Sequence, residues 1–358
     1  MKSMKKGFII ILTIALTLSG LSAGKAYAAD TTSFFAHFIK VGDADSILLE
    51  QNGRYILVDT GRYGDAGTVK AVLQAKQVTH LDAVVITHYD SDHMGGINEI
   101  IQSIGYQVDA VYARFYDLTV LERLKKYQDD TNTQSTSVYR NYVNFVNTMI
   151  SLKNGVKTFN LTSTDSPSTI YNAATDIFQQ GGKWISPNRS SGNTKFYFGN
   201  TNFVFKNRVG SYLDSSTDDS KIDGNVNNDS LVFRLTTVSG NTMLFLGDLG
   251  TTGAVNLSTE AVTYPINADI VKIAHHGRSG STPEALLAEI SPEYSVVTCA
   301  TSVAAERIGT LLTIPGRFGH VYFTGSSDFS GDFSTLQIDD GGSINFSSYF
   351  NYYGDDMN

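Results

Sequence analysis

An internal disulfide is excluded at the outset, because the chain has one cysteine, Cys299, and a lone thiol has no partner. Cys299 follows the strand-like run Tyr294–Thr298 and is expected to be buried and inert. A membrane span is missing too. The apolar run Gly7 to Leu18 is too short and wrongly flanked for a stable crossing, and no apolar tail ends the chain. No cysteine beside Ala26-Tyr27-Ala28 offers a lipid attachment point, so no membrane anchor is expected. Positive charge is also scarce. The formal net charge of −8 excludes an overall basic field for steering nucleic acid, although a local basic patch is still allowed.

What is present begins with an export pattern. Lys2, Lys5 and Lys6 form a basic start, the apolar run follows, and Ala26-Tyr27-Ala28 supplies small residues for cleavage, so residues 1–28 read as a signal peptide. Residues 29–358 are expected to form one secreted domain. Their cores are well supplied, since the chain is 41% hydrophobic and 11% aromatic.

Alternation and turn residues place strands at Phe34–Lys40, through Leu49, and at Tyr55–Val58, the last two joined across Asn52-Gly53. Helical spacing marks Ala66–Lys76 and Gly96–Ile104, with strands at Ala83–Ile86 and Val108–Ala113. From 114 to about 223 the pattern changes to Ser, Thr, Asn and Gly runs around two amphipathic stretches, Val120–Tyr127 and Val138–Leu152. This segment reads as an insert that contains helices and packs on the rim of a site. Beyond it come a hairpin of Leu231–Leu235 and Asn241–Leu246, a strand before His275, and an alternation of helices and strands to Phe346.

The chemistry concentrates in Thr87-His88-Tyr89-Asp90-Ser91-Asp92-His93-Met94-Gly95-Gly96. Two imidazoles and two carboxylates within six residues suit zinc, manganese or iron(II). Residues two apart in extended chain share a side, so His88 and Asp90 can serve one ion, while Asp92 and His93, past the turn, serve a second. The glycine pair lets a helix start close behind.

This stretch resembles the His-x-His-x-Asp-His motif of the metallo-β-lactamase fold hydrolases, with Asp90 in place of the second histidine. The aspartate variant, with Asn227-Asn228-Asp229-Ser230 and Ala268-Asp269-Ile270-Val271-Lys272-Ile273-Ala274-His275-His276-Gly277-Arg278-Ser279, is similar to the branch containing the competence protein ComEC and to secreted phosphorylcholine esterases. Arg278 stands between the glycine and serine of that last segment. The resemblance implies an α+β, four-layer αβ/βα sandwich binding two divalent metal ions, zinc or manganese. It implies His88, Asp90, Asp92, His93, Asp248 and His275 as ligands, Asp248 bridging both ions. Asp59 would hold the metal loop and Asp45 would sit near the site. Asp92 and His276 would serve catalysis, and Asn228, Ser230 and Ser279 would face substrate. Only one of His275 and His276 should point at the ions if the strand alternation continues, and His275 is the expected one. No histidine lies between His93 and His275, so an Asn, Asp229 or water is left to complete the first site.

The resulting expectation is a secreted metallo-hydrolase, foremost a phosphodiesterase acting on a cell-wall phosphodiester, a phosphorylcholine group or extracellular nucleic acid, the acidic charge weighing against nucleic acid. The alternatives are a lactonase or β-lactamase-like hydrolase and a non-catalytic metal-binding module. His37 and His320 read as structural.

Overall fold

The computed structural model describes residues 33–132, 137–180, 183–187, 195–206, 222, 226–261, 265–304, 306–307, 319–324, 333–347 and 351–353. The export pattern of residues 1–28, and most of the helix expected at Ala304–Leu312, lie outside them.

Sixteen strands among the described residues pair into two sheets. The first takes β1 (Phe34–Ile39), β2 (Ile47–Gln51), β3 (Arg54–Val58), β4 (Leu81–Val85), β5 (Val108–Tyr112) and β6 (Trp184–Ile185). The second takes β7 (Lys195–Phe198), β8 (Thr201–Phe205), β9 (Phe233–Thr236), β10 (Thr242–Phe245), β11 (Ile270–Lys272), β12 (Tyr294–Val297) and β13 (His320–Phe323). The chain then returns to the first sheet with β14 (Phe333–Ile338) and β15 (Ile344–Phe346), and ends in the second with β16 (Asn351–Tyr353). The spatial orders are β15-β14-β1-β2-β3-β4-β5-β6 and β16-β13-β12-β11-β10-β9-β8-β7.

Side-chain alternation explains the layers. In β4, Ala83 and Val85 face the second sheet, while Val84 and the following Ile86 face helices on the outside. A strand buried on both faces reads as a continuous apolar run. The space between the sheets is filled by Phe34, Phe38, Phe203, Phe205, Phe233 and Phe245 among others. The outer face of the first sheet is covered by α1 (Ala66–Ala75), α2 (Ser91–Met94), α3 (Ile97–Ser103), α4 (Leu118–Thr131), α5 (Val138–Asn154) and α6 (Pro167–Gln179). The outer face of the second is covered by α7 (Thr251–Ala261) and α8 (Glu284–Ile290). Helix, sheet, sheet, helix is the expected αβ/βα order.

The segment from 114 to about 223 does more than pack on a rim. It supplies β6 to one sheet and β7 and β8 to the other. It also holds α6, a helix that the Ser/Thr-rich composition concealed. Ser166 caps that helix by accepting from the Thr169 N–H at 3.2 Å, and Pro167 occupies its first turn. The segment's aromatics are largely core: Phe115 lies 5.4 Å from Trp184, and Tyr142 5.1 Å from Tyr116, between ring centres. Exposed Tyr197 and half-buried Phe196 are exceptions.

The parallel strands matter most for function. The run β3-β4-β5-β6 is parallel in one sheet, and β10-β11-β12-β13 in the other. Their C-terminal ends open toward one another. Such ends are where open α/β sheets gather ligand-binding groups.

Candidate metal centre

Every element of the site leaves a strand at its C-terminal end. Asp59 follows β3, Thr87 and His88 follow β4, Asp248 follows β10, the His275-His276 pair follows β11, and Thr298 follows β12. The two sheets are tied together here by Leu231, which donates its N–H to the Thr87 carbonyl at 2.8 Å, and within the second sheet His275 donates its N–H to the Gly247 carbonyl at 3.1 Å.

The loop after β4 is held from three sides. Asp59 sits in left-handed backbone (φ 56°), a costly conformation for a residue with a side chain, and is fully buried. Its carboxylate accepts from the Thr87 N–H at 2.8 Å and the Thr87 hydroxyl at 2.7 Å, and faces His93 Nδ1 at 2.8 Å. That bond fixes the His93 tautomer and aims Nε2 into the site. The glycine pair provides close approach. A Cβ on Gly95 would lie 2.4 Å from the Tyr63 nitrogen, and one on Gly96 2.5 Å from the Thr60 carbonyl oxygen. From behind, the buried Tyr89 ring packs edge-on against Tyr116, Tyr142 and Phe145, and Asn141 of α5 donates to the Tyr89 carbonyl at 2.8 Å. Asp59→Asn should therefore weaken metal affinity by about 10–100-fold, because a neutral amide cannot accept all three contacts. Competitive titration against a chelating dye checks this; a change under about threefold would remove Asp59 from the role.

Four side chains converge at the centre: Asp92, His93, Asp248 and His276 offer ligand atoms within 4.8 Å of one another. His93 Nε2 lies 3.1 Å from Asp248 Oδ1, and His276 Nε2 lies 3.3 Å from Asp248 Oδ2 and 3.8 Å from Asp92 Oδ2. His88 lies alongside, its ring centre 4.1 Å from that of His93 and its Nε2 3.5 Å from Asp90 Oδ2. Asp90 starts α2, yet its side chain makes no capping bond, which leaves the carboxylate for His88 and a cation.

The donor atoms fit a metal on a direct test. His88 Nε2, His93 Nε2, His276 Nε2 and Asp248 Oδ1 are all buried without a hydrogen-bond partner. Buried polar atoms are normally satisfied, so orphans of ligand type at one place ask for a cation. Electrostatics agree. Burial would lower the His93 and His276 pKa values, but Asp248 with Asp59 holds His93 well above its usual range, and Asp248 with Asp45 raises His276 to about 9. Burial would raise Asp248 and Asp92, but the same imidazoles hold both carboxyls well below their usual range. Protons on the two imidazoles thus balance the carboxylates, and they must leave when a metal cation takes their place.

His276 occupies the place expected for His275. It is fully buried, with Nδ1 3.0 Å from the Thr298 carbonyl and Nε2 on Asp248, so it cannot face substrate. His275 is 26% exposed, with Nε2 3.8 Å from Asp248 Oδ2. The cause is local: His275 (φ 50°) and His276 (φ 53°) are both left-handed, followed by Gly277 (φ 78°), so strand alternation ends at Ile273. The residues expected at the substrate are also tied elsewhere. Asn228 Oδ1 accepts from the Gly253 N–H at 2.9 Å, and the buried Ser230 hydroxyl accepts from the Asp248 N–H at 3.2 Å. Both bonds position the Asp248 turn and α7. Ser279 alone of the three is exposed. Asp229 is buried, with Oδ1 3.5 Å from Arg114 Nε.

Asp45 lies just behind the centre. Its buried carboxylate pairs with Lys272, accepts from the Thr298 hydroxyl at 2.5 Å, and comes within 3.5 Å of His276 Nδ1. Lys272 also donates to the Gly247 carbonyl at 3.1 Å and lies 3.8 Å from Asp248. The motif around His275 and His276 by itself gives Lys272 no role. The signal was there: a lysine in the run Ile270-Val271-Lys272-Ile273 must be paired if the run is buried. Cys299 is buried, and burial pushes its thiol pKa up to about 12. His37 bridges Glu50 and Thr335, each at 2.9 Å, and has a structural role.

Residues 39–145 match the family model of the metallo-beta-lactamase superfamily. A hydroxyacylglutathione hydrolase from Methylobacillus flagellatus is 41% identical over 63 residues, 18% of this chain and 24% of that protein. The aligned part is thus about a quarter of that relative's length. Among solved structures, the metallo-beta-lactamase fold protein YhfI from Bacillus subtilis is similar with a TM-score of 0.40, at 11% identity, over 82% of this chain and 97% of that one. A diphosphatase of the PhnP family is similar with a TM-score of 0.34, at 9% identity, over 74% and 85%.

Proposed function

From a metallo-β-lactamase superfamily domain with hydrolase relatives, we propose a metal-dependent phosphodiesterase that is exported and uses two divalent ions, zinc or manganese. The observation that supports the substrate class is the donor set at the His88 end. There, Asp90 puts a carboxylate 3.5 Å from His88 Nε2, and Asp248 adds another. Oxygen donors favour harder ions and oxyanion substrates. His275, 26% exposed and 3.8 Å from Asp248, would complete this group, leaving Asp92, His93 and His276 for the other, with Asp248 shared.

When bound, the metal ions would supply a hydroxide at neutral pH and stabilise charge on the phosphoryl oxygens. The chain's own residues do the rest. Asp59 and Asp45 orient imidazoles, Lys272 offsets part of the negative charge beside Asp248, and the packed Tyr89 keeps the loop from shifting. Export is supported by the pattern of residues 1–28 alone, and no membrane anchor is invoked.

The similarity to hydroxyacylglutathione hydrolase favours a second reading, thioester or lactone hydrolysis. The test compares kcat/KM on bis-nitrophenyl phosphate, an acylglutathione, a lactone and nitrocefin, with manganese and with zinc. The phosphodiester is expected to lead by roughly tenfold or more, equivalent to about 1.4 kcal/mol in the barrier. A faster reaction of nitrocefin or thioester with both metals would overturn the phosphodiester reading.

A further inference from the structure

Three arginines gather around Asp43 beside the metal centre. Arg278 Nη2 donates to Asp43 Oδ2 at 3.0 Å, and Arg307 Nη2 reaches the same oxygen at 3.4 Å. Arg62 donates to the Asp43 main-chain carbonyl, and its Nη2 is 3.8 Å from Asp92 Oδ2, a proposed metal ligand. The cluster is therefore one side chain away from the reacting centre. Arg278 comes directly after the His275-His276-Gly277 turn, and Arg62 after the Asp59-Thr60-Gly61 loop, so the strand ends that build the centre also deliver the guanidiniums.

The bonding within the cluster is incomplete. Arg307 is 6% exposed, and its Nε is buried without a hydrogen-bond partner. Asp43 Oδ1 is buried without one as well. Arg278 and Arg307 share the Asp43 carboxylate, Arg62 faces Asp92, and Glu306 on Arg307 Nη1 at 2.7 Å is 67% exposed. Arg62 and Arg278 are 44% and 47% exposed, so they are open to a ligand arriving from solvent. A structural ion pair needs one guanidinium per carboxylate. Once Asp92 serves a metal ion, Asp43 and the solvent-exposed Glu306 are the two carboxylates these three guanidiniums retain among the described residues, an arrangement that receives an oxyanion in bidentate fashion.

We propose that Arg62, Arg278 and Arg307 form a subsite for a second phosphate of the substrate, next to the phosphodiester that is cleaved, with Asp43 holding the guanidiniums in position. The proposal rests on the phosphodiesterase reading and narrows it. The preferred substrate carries consecutive phosphates, and a substrate with a cationic choline group at this rim is disfavoured.

The test uses metal-loaded protein on the dinucleotide TpT and on its 5′-phosphorylated form pTpT, following cleavage of the internal linkage. Wild type should prefer pTpT by roughly tenfold in kcat/KM, mainly through KM, the size of effect that charge-assisted bonds give. In Arg278→Ala that preference should fall toward unity, and Arg278→Lys should recover part of it. Equal rates on both dinucleotides, unaltered by Arg278→Ala, would overturn the subsite and leave the phosphodiesterase reading standing. Failure to cleave either would instead count against that reading. The subsite is then decided by phenylglyoxal modification of the metal-loaded protein, mapped by peptide mass spectrometry. Sulfate should slow modification of Arg62 and Arg278 relative to chloride at equal ionic strength. Equal rates in both salts would overturn the proposal.

Discussion

Asp248→Asn is expected to reduce phosphodiester hydrolysis by on the order of a thousandfold or more and to leave purified protein with well under its full complement of metal. Asp248 faces the Nε2 atoms of both imidazoles of the buried group, His93 at 3.1 Å and His276 at 3.3 Å, and it also lies 3.8 Å from His275. An amide removes the charge that draws the cation, and it offers an N–H where an acceptor is required. The measurement pairs metal analysis with kcat/KM on bis-nitrophenyl phosphate. Near-normal metal content combined with near-normal rates would show that the bridging assignment is mistaken. His320→Ala is the control. His320 lies on β13, its ring 5.5 Å from that of Tyr294, and its loss should leave metal content unchanged.

The site was legible where local chemistry and strand ends coincided. A buried apolar strand followed by His-x-Asp-x-Asp-His and two glycines needs no tertiary information to be read as a metal loop. Asp248, at the end of the apolar strand Asn241–Leu246, was picked out by the family resemblance together with its place after that strand. The entry of His276 into the buried group was not legible, because it depends on two consecutive left-handed residues that no residue-type preference announces. The part Asn228 and Ser230 play in the fold was not legible either: each accepts from a main-chain N–H set by the tertiary structure, Gly253 and Asp248.

The fold followed the same division. Strands with unbroken apolar runs or strict alternation were found within a residue or two of their observed limits. The return of β14 to pair with β1 is a contact between residues some three hundred positions apart, Phe34 opposite Ile338, and local pattern carries no information about it. Likewise, short β6 has only two residues, and its membership of the first sheet is set by Val111 and Tyr112 rather than by its own composition.

Lys272→Met is expected to cost about 3–5 kcal/mol of folding stability, the range found when one partner of a buried ion pair is removed. Lys272 and Asp45 are 1% and 2% exposed, so neither charge is relieved by water. Burial opposes the charged form of Asp45, and Lys272 is the largest of the groups that overcome it, ahead of His276 and His93. Without the ammonium, a buried carboxylate is left close to Asp248 and Asp59, and the methionine cannot donate to the Gly247 carbonyl that Lys272 now satisfies at 3.1 Å. Asp45→Asn in the same chain removes the stranded charge while keeping an acceptor for the Thr298 hydroxyl. The double variant should therefore be more stable than Lys272→Met alone, a sign that ordinary cavity formation would not produce. Urea unfolding of metal-free wild type, both single variants and the double variant gives the coupling directly. A Lys272→Met protein within about 1 kcal/mol of wild type, or a double variant less stable than the Lys272 single, would mean that the pair does not hold this corner of the site together.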